Sequence, residues 1–206
     1  MVKKNLVQMA NIFIPKADNK NFSTIKQGTT ADIVSEVLAV YRLTENDLNS
    51  FAKHLKGSSL EDTCKNVWEF IKGNIRYIED PPGVQWIKTP ARIWQDKNCD
   101  CKGYSIFTAA LLKGLGIDGK FRFVSFDEDP APTHVYCIVK DNGREIKIDC
   151  VLNYFNTEKN YRFKKDYSMT QIKRLSGIGC PGSDTCNCQQ KKVDFCPKII
   201  NIDPII

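Results

Sequence analysis

The chain has 206 residues, 42% of them hydrophobic and 26% charged, an ordinary globular balance that suits one domain with an appended tail. Its 30 basic and 24 acidic residues leave a net charge of +6, which permits an acidic partner but argues for neither nucleic acid nor membrane as one. No apolar run approaches the ~18–20 residues of a membrane span, and the N-terminal MVKKNLVQMANIFIPKADNK lacks a signal peptide's apolar core and cleavage pattern, so the expected location is the cytoplasm.

Residues 1–28 are polar without a clear period and read as an extended arm, with a strand at NIFIP. From Thr30, Ile33, Val37 and Leu38 recur at helical spacing. Thr44 can cap a second helix, ENDLNSFAKHLK, that stops at Gly57. A third helix opens with Ser58 three residues before Glu61, a capping-box pattern, and presents Val67, Phe70, Ile71 and Ile75 to a core. The segment RYIEDPPGVQWIKTPARIWQD reads as a loop rich in proline and aromatics. Next comes a helix over 101–115 with Phe107, Ala110, Leu111 and Leu115 as its apolar stripe, broken at Gly116. GKFRFVSF, HVYCIVK and REIKID then alternate as three strands, the last two joined by the hairpin signal DNG.

The helix over 101–115 starts at a cysteine. Asp100 is a good N-cap and puts Cys101 on the first turn. A helix N-terminus offers partial positive charge and free N–H groups, which stabilise a thiolate and can hold a developing oxyanion. A thiol nucleophile also needs a base, and the chain has two histidines. His54, among lysines in FAKHLKG, reads as a solvated surface residue. His134 begins a strand just after a loop, and Asp149 ends the neighbouring strand, where it could orient the imidazole. The competing reading is a satisfied core histidine beside a strand-ending aspartate. For the Cys99-x-Cys101 pair a metal clip is the alternative, though zinc wants four ligands.

These residues resemble a known family. DCKGYSIFTAALLKGLGI, then THVYCIV, then IKIDCV, preceded by VWEFIKGNIRYIED, is similar to the transglutaminase-like superfamily of papain-like cysteine enzymes, in this order and spacing over roughly residues 59–155. The resemblance implies an α+β fold with a helical N-terminal half and the nucleophile helix packed on an antiparallel sheet. It implies Cys101, His134 and Asp149 as the catalytic residues and no cofactor. Two positions depart from the family's habit: Cys99 where glycine is common, and Lys102 where an acidic residue is common. Papain-like folds also draw an oxyanion donor from the segment before the nucleophile, which here offers the Gln95 amide and the Trp94 indole.

The implied activity is acyl transfer from an amide of a protein or peptide, by hydrolysis or transamidation, with hydrolysis favoured because water is the abundant acceptor. The alternative is a virion or other structural component on the same fold, in contact with other virion proteins, since stand-alone relatives of this kind resemble phage and mobile-element proteins. The expected domains are an arm over 1–28, a catalytic domain over 29–156 and a basic, cysteine-rich extension over 157–206. Nine cysteines rule out complete internal pairing. Cys180, Cys186, Cys188 and Cys196 in the extension could hold one structural zinc, form disulfides or stay free.

Overall fold

The computed structural model describes residues 2–18, 22–26 and 28–171. The candidate zinc ligands Cys180, Cys186, Cys188 and Cys196 lie outside the described residues.

Contrary to the expected arm, the chain opens with a helix, α1 (Val2–Phe13). Ala10 and Ile14 are buried in the core and Leu6, Met9 and Phe13 pack against it, a three- and four-residue spacing interrupted by polar residues. β1 (Phe22–Lys26) follows. α2 (Thr30–Thr44) starts at a complete capping box, in which Thr29 and Asp32 each bond the other's backbone N–H. The second helix is shorter than its pattern predicts: α3 spans only Asn49–Ala52 and runs into a 3-10 turn at Lys53–Leu55. α4 (Leu60–Asn74) is capped by Ser59, which accepts from the Asp62 N–H, one residue later than the Ser58–Glu61 reading.

The aromatic loop is largely structured. It holds β2 (Arg76–Tyr77), β3 (Val84–Lys88) and α5 (Pro90–Asp96). β3 pairs antiparallel with β1, Ile87 opposite Ser23. Lys97 ends α5 in the left-handed region, φ 57°, and turns the chain into β4 (Asn98–Cys99). β4 lies parallel to β2, Tyr77 opposite Cys99.

α6 (Cys101–Gly114) begins one residue after β4, on the cap that Asp100 forms. It is not a surface helix with one apolar stripe. Every residue from Lys102 to Leu112 is buried, because α2, α3, α4 and α5 pack against it on one side and the main sheet on the other. Each fully buried large side chain, such as Phe107 or Leu111, contributes roughly 1.5–3 kcal/mol. Together they outweigh any preference of the isolated segment and hold the helix rigidly.

The main sheet contains β5 (Gly119–Ser125), β6 (His134–Asp141), β7 (Arg144–Ile148) and β8 (Phe163–Ser168), all antiparallel in the order β7-β6-β5-β8. Asn142 and Gly143 both take positive φ, 49° and 85°, in the β6–β7 turn, the geometry an Asn-Gly hairpin supplies. Phe121, Phe123, Val135, Cys137, Val139, Ile146 and Ile148 join the core shared with the helices. A second, smaller cluster of Val124, Tyr136 and Ile138 is covered by Phe126 and Tyr161. Arg122 is buried there and forks onto Asp166 of β8 and Glu145 of β7, with contacts of 2.8–2.9 Å. β8 pairs with β5 over six positions, so the sheet draws its fourth strand from beyond residue 156.

Candidate active site

Three elements carry the site: the first turn of α6, the first residue of β6 and the residue that follows β7. Ser105 fixes the first against the second. It lies one turn along α6 from Cys101, and its hydroxyl reaches the Val135 carbonyl at 3.0 Å and the Cys101 carbonyl at 2.9 Å. The buried Cys137 thiol donates to the Ser105 carbonyl at 3.3 Å. Helix and strand are thereby locked in register, with Cys101 facing the start of β6.

His134 and Asp149 meet across the β6–β7 pair. His134 Nε2 lies 2.8 Å from Asp149 Oδ2. The other carboxylate oxygen, Oδ1, accepts from the Val151 N–H at 3.0 Å, and the Trp68 indole of α4 donates to the Asp149 carbonyl at 2.9 Å. Asp149 is 4% exposed. With Nε2 bonded to the carboxylate, Nδ1 is the ring nitrogen left for Cys101, whose side chain is near enough to raise the imidazole's pKa. Burial disfavours charge on the imidazole, but the hydrogen bonds and charges of Asp149 and Cys101 outweigh it and raise His134 from 6.5 to about 9. The ring is therefore an imidazolium at neutral pH, paired with the Asp149 carboxylate.

Cys101 differs from the other described cysteines. Cys64, Cys99, Cys137 and Cys150 are buried, whereas Cys101 is partly exposed. Burial pushes the Cys64 thiol up to about 12 and the other three upward as well. Cys99 packs against Gly103, where an added Cβ would lie 2.8 Å from its sulfur. The first residue of C-x-C is thus a packing element, and the second faces the imidazole. All five described cysteines are free, and among the described residues no three His, Cys, Asp or Glu side chains group as a metal would require.

The cap itself is held from a distance. Asp100 Oδ1 accepts from the Lys102 and Gly103 N–H groups, and the Tyr104 N–H bonds the Asp100 carbonyl. Among the described residues this leaves the Cys101 N–H as the first-turn donor without an acceptor. Lys102 folds back onto the cap: its ammonium pairs with Asp100, lies 3.2 Å from Asp80 and donates to Gln85 at 2.6 Å. Burial works against its charge, but the two carboxylates prevail and raise Lys102. The departure at position 102 therefore ties the cap before Cys101 to the segment between β2 and β3.

The structure gives the other sequence candidates different places. The Trp94 indole donates to Asn11 Oδ1 at 3.0 Å and its ring stacks on Phe70, so its N–H is engaged away from Cys101. Gln95 is exposed and lines a cleft with Pro15 and Lys16 beyond the end of α1. His54 is not solvated. It is partly buried and stacks on Phe13 at 5.4 Å, with its Nε2 enclosed, because α1 covers it. Trp68, Lys102 with Asp80, and Ser105 enter the site through contacts that no local pattern announces.

A profile of the transglutaminase-like domain matches residues 46–175, well over half of the chain. The chain belongs to the transglutaminase-like family. The matched segment contains Cys101, His134 and Asp149, and like the sheet it runs past residue 156 to include β8. Among solved structures, a Cytophaga hutchinsonii protein described as a candidate cysteine protease is similar over 63% of this chain and 48% of its own, with 16% identity and a TM-score of 0.42. This chain spans about half the length of that protein. No curated protein matches. Among the described residues no helix is long and apolar enough to cross a membrane.

Proposed function

We propose that the protein is a cysteine acyl-transfer enzyme acting on amide bonds of a protein or peptide. Cys101 is the nucleophile, His134 carries the proton, and Asp149 orients the imidazole and stabilises its charge. The observation that supports this most is the 2.8 Å pairing of His134 Nε2 with Asp149, beside a helix N-terminus where Cys101 is the one partly exposed cysteine among those described.

In the first half-reaction Cys101, as a thiolate whose proton His134 already holds, attacks the amide carbonyl carbon, and the carbonyl electron pair moves onto oxygen. The Cys101 N–H, at the positive end of α6, stabilises that oxyanion. As the intermediate collapses, His134 Nδ1 gives its proton to the departing nitrogen, the C–N bond breaks and a thioester remains. His134 then takes a proton from an incoming water or amine, which attacks the thioester and releases Cys101. Water is the favoured acceptor because the thiol is partly open to solvent. The purified protein should cleave an unfolded protein such as reduced casein, and a Cys101→Ala variant should not. Incorporation of a fluorescent amine into casein without cleavage would assign transamidation. Neither product from the wild-type protein across a range of casein-like substrates would contradict the reading.

A further inference from the structure

The proposed mechanism names one oxyanion donor, the Cys101 N–H, where a tetrahedral intermediate is best held by two. The candidates read from the sequence, Trp94 and Gln95, point elsewhere. Tyr77 of β2 lies beside the N-terminus of α6. β2 runs parallel to β4 with Tyr77 opposite Cys99, two residues before the nucleophile. Its ring packs against Tyr104 of α6's first turns, centroids 5.9 Å apart. Tyr104 is itself pinned to this strand, its hydroxyl donating to the Ile75 carbonyl at 2.8 Å. The Ile78 N–H bonds the Cys99 carbonyl at 2.9 Å, so both ends of the β2–β4 pair hold Tyr77 beside the N-terminus of α6. Tyr77 is 38% exposed, and among the described residues its hydroxyl makes no hydrogen bond.

We propose that the Tyr77 hydroxyl is the second oxyanion donor, acting with the Cys101 N–H on the carbonyl oxygen of the bound acyl group. The inference rests on Cys101 being the nucleophile. Burial raises the phenol's pKa, and the charges of Cys101, Glu79, Asp100 and Asp149 raise it further. The hydroxyl therefore keeps its proton at any working pH and can only donate toward a developing negative charge. This also gives a reason for the Lys102–Asp80 pairing: it anchors the segment after Tyr77 to the cap of α6.

Two probes separate this role from the others. p-Nitrophenyl acetate acylates a thiolate through an oxyanion: the Cys101 S–C bond forms, the carbonyl electrons move onto oxygen, and p-nitrophenolate leaves as they return. Iodoacetamide alkylates the same thiolate by direct displacement of iodide, with no oxyanion. Both rates are read at Cys101 by mass spectrometry, with Cys101→Ala as blank. Tyr77→Phe should acylate about ten- to a hundredfold more slowly and alkylate at the wild-type rate. Equal loss with both probes would give Tyr77 a merely structural role and overturn the inference, as would an unchanged acylation rate. A wild-type protein in which neither probe selects Cys101 would instead overturn the nucleophile assignment, and this inference with it. Tyr77→Leu, which keeps an apolar contact with Tyr104, should match Tyr77→Phe; recovery of acylation there would also count against the hydroxyl.

Discussion

Ser105 Oγ lies 3.0 Å from the carbonyl oxygen of Val135, the residue next to His134. Cys101 is one helical turn from Ser105, so this hydrogen bond carries the register between α6 and β6 directly into the spacing of Cys101 and His134. Ser105→Ala leaves the Val135 carbonyl without its donor in a buried position. The expected cost is about 1–3 kcal/mol of stability, read by urea unfolding, together with slower alkylation of Cys101. Unchanged alkylation would show that core packing alone sets the register.

Asp149→Asn removes the main support of charge on His134. Burial is then opposed only by Cys101, and the ring's pKa should fall from about 9 back toward 6.5. NMR titration of the His134 ring would read this directly. Activity at neutral pH should drop by about a hundredfold or more, as the imidazole loses both orientation and charge.

The same raised pKa links stability to pH. A histidine whose pKa is higher in the folded state stabilises the fold fully below its unfolded value of 6.5, and that stabilisation is lost as pH rises through about 9. Wild-type protein should therefore lose up to about 3 kcal/mol between pH 6.5 and 9. His134→Asn should flatten this part of the profile. The general-acid role of His134 should fail over the same alkaline range, giving a falling limb in activity near pH 9.

Lys102→Met would leave Asp100 and Asp80, both nearly buried, without their shared cation. Breaking a buried pair from one side costs about 3–5 kcal/mol, and the segment holding Tyr77 should loosen with it. Adding Asp80→Asn should recover part of the stability, because one of the two stranded charges is removed.

A chain ending at residue 156 would lose β8, and with it the pairing of Asp166 to the buried Arg122. Such a truncation should lose cooperative thermal unfolding by calorimetry rather than leave an intact catalytic body.

What was legible in the sequence follows from locality. Asp100 caps α6 through the N–H groups of Lys102 and Gly103, and the β6–β7 turn is written in Asn142 and Gly143, so the start of α6 and the hairpin between His134 and Asp149 could be placed from short patterns. α1 was not legible because Leu6, Ala10 and Phe13 follow a Lys-Lys-Asn run and are interrupted by Gln8 and Asn11, and the helix depends on tertiary packing. β8, FKKDYS, reads as a basic stretch until β5 supplies its partner. Trp94 was misread because α5 turns its indole inward to Asn11 and Phe70. Tyr77 gains a role only through the β2–β4 pairing, which two residues on each side do not announce.

The measurement closest to the central claim is the alkylation rate of every cysteine in the folded protein with iodoacetamide at pH 7, resolved by peptide mass spectrometry. The account predicts that Cys101 reacts at least a hundredfold faster than Cys99 or any other cysteine, and that His134→Asn removes most of that advantage while the protein stays folded. Faster labelling of Cys99 or another cysteine, or a Cys101 rate indifferent to His134, would contradict it.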